Sequence, residues 1–285
     1  MIKKMNDAMP TLSKSHRKIA GFIINHYDKA AFMTAAKIAE TVGVSEATVV
    51  RFASELNYNG YPSLQKAMQE TIRNKLTSVQ RLEISNHKFD SSDILSSILN
   101  MDIEKIKVTL KESSTENFEK VVDVLPQKKA IYIFGARSSA FLASFLGFYF
   151  NLIFDNVKII TASNESEIFE QMLWLNSDDI LIDISFPRYA KRALTALGCA
   201  LSKGAEVVAV TDSLSSPIAK SANYVLIARS EMASFVDSLV APLSLLNALI
   251  VASAYKNKVE VFKTFERLEG IWGEYQVYEN DVRSN

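Results

Sequence analysis

Several things this sequence lacks narrow what it does. A single cysteine, Cys199, leaves no intrachain disulfide to form. The first ten residues, MIKKMNDAMP, hold no apolar stretch of the kind a signal peptide needs. No apolar run reaches the length of a membrane span. The richest two, 138–154 and 239–254, are short and broken by Ser, Asn or Pro, and read as buried helices of a soluble core. A reducing cytoplasm fits all three absences. The three histidines, His16, His26 and His87, all lie in the first third of the chain, so the rest has no imidazole to act as a general base near neutral pH. There is no internal repeat or low-complexity tract, and no metal or cofactor motif stands out.

What is present is length enough for two cores, one about half the size of the other. The formal net charge is zero, but it is not evenly spread. Residues 1–80 carry 11 Lys/Arg against 6 Asp/Glu, a net +5, and residues 81–285 carry 21 against 26, a net −5. Phosphate contacts require local rather than global positive charge, so a basic head on an acidic body suits a DNA reader with a separate sensing part.

Periodicity divides the chain in the same place. Ile19, Phe22, Ile23 and Tyr27 recur at helical spacing in 14–27, and further helices fit 35–41, 45–56 and 63–77. Residues 81–92 lose that period and gain Ser, Asn and Asp, which marks a boundary. We expect a head over 1–80, a linker and connecting helix over 81–118, and a body over 119–285. After the helical segment 94–110 the pattern changes to β-branched runs at 130–135, 157–163, 179–185, 206–212 and 224–228, mostly separated by helical stretches. Continuous apolar strands alternating with helices predict a five-stranded parallel sheet covered on both faces.

In the head, Gly43 and Ser45 supply a tight turn and an N-cap between two short helices. On a helical wheel Val49, Phe52, Ala53 and Leu56 form the buried stripe of the helix that follows, leaving Ala47, Arg51 and Ser54 facing away, with Glu46, Thr48 and Val50 at the flanks. Such a helix fits a DNA major groove, and Ser45 and Thr48 can donate to phosphate at its N-terminus. A plain three-helix bundle with no partner has the same periodicity. The segment 38–68, IAETVGVSEATVVRFASELNYNGYPSLQKAM, resembles the N-terminal domain of the RpiR/MurR family of bacterial regulators. The likeness extends over roughly 10–77 and includes the step Tyr58-Asn59-Gly60-Tyr61. The resemblance implies an all-α helix-turn-helix head, with Ser45, Glu46, Thr48 and Arg51 at the DNA surface and Lys37 and Lys66 contacting the DNA backbone.

In the body, the first strand runs into Gly135-Ala136-Arg137-Ser138-Ser139 and the third into Ser185-Phe186-Pro187-Arg188-Tyr189-Ala190, each opening a helix. Free peptide N–H groups and the positive end of a helix dipole make such junctions anion sites, although serine is also an ordinary helix cap. Residues 120–255 resemble a sugar isomerase (SIS) domain, a phosphosugar-binding α/β fold usually joined to this head. Its first loop usually reads Gly-x-Gly-x-Ser and its second Ser-x-Ser-Gly-x-Thr/Ser. Here Gly135, Ser139 and Ser185 are kept, Arg137 replaces the second glycine, and Pro187, Arg188 and Ala190 replace the second serine, the glycine and the final hydroxyl.

Two guanidinium groups around one pocket suit a phosphate plus a carboxylate, or two phosphates. The expected effector is therefore a phosphorylated sugar or sugar acid, held by residues 135–139 and 185–188 together with Glu231. An aldose–ketose phosphate isomerase is the rival reading, with Glu165, Glu167, Glu231 or Asp237 as base. A DNA-binding protein whose body serves only for assembly is a third. Segments 94–110, 138–154 and 234–256 are expected to join a homodimer or homotetramer, and effector closing the two loops would change the spacing of the paired heads on operator DNA.

Overall fold

The computed structural model describes residues 1–72, 77–86, 93–230 and 235–278. The chain divides into two compact units, Met1–Ser92 and Asp93–Asn285.

The first unit is helical. Helices α1 (Ile2–Ala8), α2 (Lys14–Asn25), α3 (Tyr27–Ala30), α4 (Ala35–Val42), α5 (Glu46–Glu55), α6 (Gly60–Ile72) and α7 (Ser78–Asn86) follow one another. Their ends are fixed locally. Ser13, Thr34 and Ser45 accept hydrogen bonds from the peptide N–H groups of His16, Lys37 and Thr48, and so cap α2, α4 and α5. Gly43 ends α4 at φ 67°, ψ 51°, a left-handed conformation that costs glycine nothing.

Apolar residues at helical spacing then close one core from Ile19, Ile23, Ile38, Val49, Phe52, Leu56, Leu64 and Met68. Tyr61 donates to the carbonyl of Met33 at 2.6 Å, and Gln65 does so at 2.9 Å, fastening α6 to the turn before α4. Burial pushes the Tyr61 phenol well up, so it stays a donor. The expected helix over 63–77 starts earlier, at Gly60, and its last residues lie outside the described ones.

The second unit opens with α8 (Ile94–Glu112) and α9 (Thr115–Val124), then alternates strand and helix. The order is β1 (Ile131–Gly135), α10 (Ser139–Phe150), β2 (Val157–Ile160), α11 (Glu165–Gln171), β3 (Ile180–Ile184), α12 (Lys191–Ser202), β4 (Glu206–Thr211), β5 (Tyr224–Ile227), α13 (Val240–Lys256) and α14 (Lys258–Glu274). All five strands are parallel, in the order β2-β1-β3-β4-β5.

Ile131, Ile133, Ile180, Ile182, Ile184, Val208 and Val210 face one layer, made by α9, α10 and α13. Tyr132, Phe134, Leu181, Val207 and Ala209 face the other, made by α11 and α12. Burial on both faces explains why these strands read as unbroken apolar runs instead of alternating ones. β1 ends where its run does, at Gly135, while the other four strands stop short of the runs that announced them, because the last residues of those runs turn into the loops at the carboxyl edge.

Candidate functional site

In the head, the second helix of the turn presents one face outward. Val49, Phe52, Ala53 and Leu56 are buried, while Ser45, Glu46, Ala47, Arg51 and Ser54 are exposed and Thr48 is half-buried. His16 pairs with Glu55 and sets its ring edge-on to Phe52 at 5.6 Å, so it supports the core side of this helix and not its outer face. The Ser45 hydroxyl is partly engaged, accepting from the Thr48 N–H at 3.2 Å and lying 2.8 Å from the Thr48 hydroxyl. Arg51 bends its Nε toward the carbonyl of Ala47 at 3.4 Å and remains exposed. Lys37 is exposed beside Glu40, and Lys66 is exposed on α6.

In the body, the sheet order places a topological switch between β1 and β3. The chain leaves β1 toward β2 on one side and returns to β3 on the other, and open α/β sheets bind ligands in the crevice that such a reversal leaves at the strands' carboxyl ends. Gly135 is the register partner of Ile184, so the loops beginning at Gly135 and Ser185 rise side by side around that crevice.

The first loop is tightly built. A Cβ at Gly135 would stand 2.3 Å from the carbonyl oxygen of Ser139, so only glycine lets α10 start this close to the strand. Arg137 takes the place of a glycine and is held at φ 58°. For a residue with a side chain that conformation costs roughly 1–2 kcal/mol, which marks the turn as constrained for a reason other than stability. Arg137 and Ser138 are exposed, Ala136 and Ser139 are buried, and no side chain caps α10.

The second loop is anchored by buried Phe186 and Pro187. Tyr189 donates to Asp212 at 2.7 Å, across to the loop after β4, and Arg188 stays exposed. No side chain caps α12 either, and Arg192 in its first turn reaches back to the carbonyl of Ala162. Among the described residues, the N–H groups of Arg137, Ser138, Lys191 and Arg192 find no acceptor, and the nearly buried hydroxyls of Ser139 and Ser185 make no hydrogen bond to the protein. Two helix N-termini without side-chain caps, each with a serine at its foot that no described residue engages, have the chemistry to hold an anion. Glu231, expected to join these loops, lies outside the described residues.

Of the described carboxylates that could act as bases, Glu167 is held by hydrogen bonds and Glu165 is exposed. Glu167 accepts from the N–H of Ser163 at 2.6 Å, its hydroxyl at 2.8 Å and the Asn164 amide at 2.7 Å. Asn164 in turn accepts from the Glu167 N–H at 3.1 Å. The Ser163 N–H and hydroxyl, with a smaller contribution from Asn164, hold the Glu167 carboxyl below its ordinary range, a poor setting for a base. Glu165 is exposed at the start of α11, and Asp237 is half-buried before α13. Of the buried acids Asp179, Asp183 and Asp212, one has no hydrogen-bond partner. Asp183, in the middle of β3 between Phe134 and Ala209, is fully buried with neither carboxyl oxygen hydrogen-bonded, and burial pushes its pKa well up. Nothing local in the run DILIDIS, which also carries Asp179, sets it apart.

Comparison with known proteins agrees with this division. The family model of the rpiR-type helix-turn-helix domain matches residues 1–75, and that of the SIS domain matches 124–252. The chain belongs to the RpiR family. An HTH-type transcriptional regulator of Haemophilus influenzae is 27% identical over 230 residues, 80% of this chain and 79% of the relative. Among solved structures, the sugar isomerase domain of an RpiR transcription factor from Sphaerobacter thermophilus matches with a TM-score of 0.60 at 24% identity, over 62% of this chain and 98% of that one. The Vibrio vulnificus NanR protein, solved with ManNAc-6P, matches with a TM-score of 0.60 at 17% identity, over 98% of this chain and 99% of that one. This RpiR-family chain is thus a transcriptional regulator with a helix-turn-helix head and an SIS body. No helix among the described residues is long and apolar enough to cross a membrane.

Proposed function

We propose that the SIS body binds a phosphorylated sugar or sugar acid in the β1–β3 crevice, and that its occupancy sets the affinity of the head for operator DNA in the cytoplasm. The paired uncapped N-termini of α10 and α12, with Ser139 and Ser185 below them, carry this reading. They offer a phosphate peptide N–H groups, hydroxyls and two helix dipoles at once. The complex of NanR with ManNAc-6P supports a phosphosugar as the ligand class. Arg137 and Arg188, one on each loop, favour a ligand with a second anionic group, because a guanidinium fork matches a carboxylate or phosphate.

On the head, Ser45, Glu46, Ala47, Thr48 and Arg51 make the surface that enters the groove, and Lys37 and Lys66 flank it as phosphate contacts. The protein works as a homodimer or homotetramer. Exposed Leu95, Leu99 and Leu110 on α8, Phe141 and Phe148 on α10, and Val251 and Tyr255 on α13 supply the apolar surface for assembly. Binding without turnover is favoured over isomerisation by the engagement of Glu167 as a cap.

Calorimetric titration of the full chain with glucose 6-phosphate, 6-phosphogluconate and fructose 1,6-bisphosphate tests the site, with NMR on the same mixtures to detect isomerised product. We expect the two doubly anionic compounds to bind more tightly, with no product formed. Preference for glucose 6-phosphate would overturn the role given to the two arginines, and turnover would favour the enzyme.

A further inference from the structure

Helix α8 follows the head directly in the chain, and it is attached to the body by more than apolar packing. It lies against α13, a contact that by itself does not fix position along the helix, since apolar attraction is non-directional. Two polar attachments fix it. Toward its middle, Asp102 accepts from the Ser238 hydroxyl at 2.6 Å and sits 3.4 Å from the ammonium of buried Lys105. At its end, Glu112 takes the guanidinium of Arg229 through both Nε and Nη2 at 2.5 Å, and the Thr109 hydroxyl accepts the Arg229 N–H at 2.8 Å. The two attachments are ten residues apart, about 15 Å along the helix.

Both partners, Arg229 and Ser238, come from one connection, the chain between the end of β5 and the start of α13. Because all strands are parallel, this connection leaves the same carboxyl edge from which the Gly135 and Ser185 loops rise. A segment at the ligand edge therefore grips the helix that leads to the head. An ion pair in which Nε and Nη2 share one carboxylate oxygen, and part-buried hydrogen bonds, are either made or broken, so a shift of Arg229 and Ser238 moves α8 as a unit in place of being absorbed gradually.

We propose that Arg229 and Ser238 are positioning residues that couple the carboxyl edge of the body to α8, and through it transmit effector occupancy to the DNA-binding head. This rests on the effector-binding reading above.

The test uses the full chain and the variants Arg229→Ala, Arg229→Lys and Ser238→Ala. Binding of 6-phosphogluconate and of N-acetylmannosamine 6-phosphate is measured by calorimetry. Affinity for the intergenic DNA beside the gene is measured with and without each compound. In the unaltered chain a bound compound should change DNA affinity by roughly 5- to 150-fold. Arg229→Ala and Ser238→Ala should reduce that ratio toward one while compound binding and compound-free DNA binding stay within about twofold. Arg229→Lys, which keeps the charge but not the fork, should give an intermediate ratio.

A full ratio in both alanine variants would overturn the proposal. So would loss of the ratio only in step with loss of compound binding, since a purely structural role predicts that. Should Arg229→Ala fail to fold, Ser238→Ala removes only the bond to Asp102 and a long 3.4 Å contact from the Val240 N–H, and decides the matter. An unaltered chain that binds neither compound, or binds one without any change in DNA affinity, would overturn the effector-binding reading itself and the coupling with it.

Discussion

The head and the body present their sites in opposite ways. Most of the head's proposed surface belongs to one short helix, so those residues are placed by their own sequence neighbours: Gly43 turns the chain, Ser45 starts α5, and the buried stripe from Val49 to Leu56 forces Ala47 and Arg51 outward. The body's proposed site is made by two loops about fifty residues apart in sequence, which meet only because β1 and β3 are neighbours across the switch point. The first kind of site survives as long as its helix is packed. The second depends on the register of a whole sheet. Changes in the two places should therefore separate cleanly.

The largest separation should come from the cores. Phe52→Ala empties the centre of the head, where the ring is fully buried, and should cost about 3–5 kcal/mol there. Scanning calorimetry should show an early head transition while the body melts unchanged and still binds effector. A single shifted transition for the whole chain would break the division. Next, Gly135→Ala drives a methyl group onto the Ser139 carbonyl and should cost the body about 1–3 kcal/mol, with loss of effector binding and no change in the head's own transition.

Smaller and sharper is the crossed pair Arg51→Ala and Ser139→Ala. The first should weaken operator binding by about 1–3 kcal/mol, and gel-shift titration should find effector affinity intact. The second should lower effector affinity by about 1 kcal/mol and leave effector-free DNA binding alone. An effect of either change on both readouts would contradict the separation of the sites.

The finest test is one of pH. Asp183 has its pKa raised by burial, so the folded body holds a proton that the unfolded chain releases once pH passes the ordinary aspartate range. That contribution to stability is complete below that range and is lost progressively as pH rises toward the folded value. Asp183→Asn should flatten this slope in denaturant melts followed between pH 4 and 8, and should not move the head's transition.

Much of this was legible in advance, and the reasons differ by element. The helix ends of the head were readable because Ser, Thr and Gly at caps act through bonds three or four residues away. The strand runs were readable because a parallel sheet buried on both faces leaves no polar alternation, although the same feature hid where each strand stops. Gly135 could be singled out as a loop glycine, yet the contact that demands it is a carbonyl four residues on, seen only once α10 is placed. Glu167 was considered as a base. The Asn164-to-Glu167 spacing of a capping box was there to be read, and it accounts for the carboxylate without any chemistry. Asp183 was passed over because nothing local tells a buried acid from one at a strand end.

The sequence by itself determined the two-part organisation, the helix-turn-helix with Arg51 outward, and five parallel strands with hydroxyl-bearing loops at the first and third. These are matters of period, caps and composition, all of them short-range. Tertiary structure alone decided that the two loops stand together, that the Ser139 and Ser185 hydroxyls make no hydrogen bond among the described residues, that Asp183 is sealed in, and that Arg229 and Ser238 grip α8. Each of these depends on residues tens of positions apart being brought within a few ångströms, which strand order and packing fix and local patterns do not.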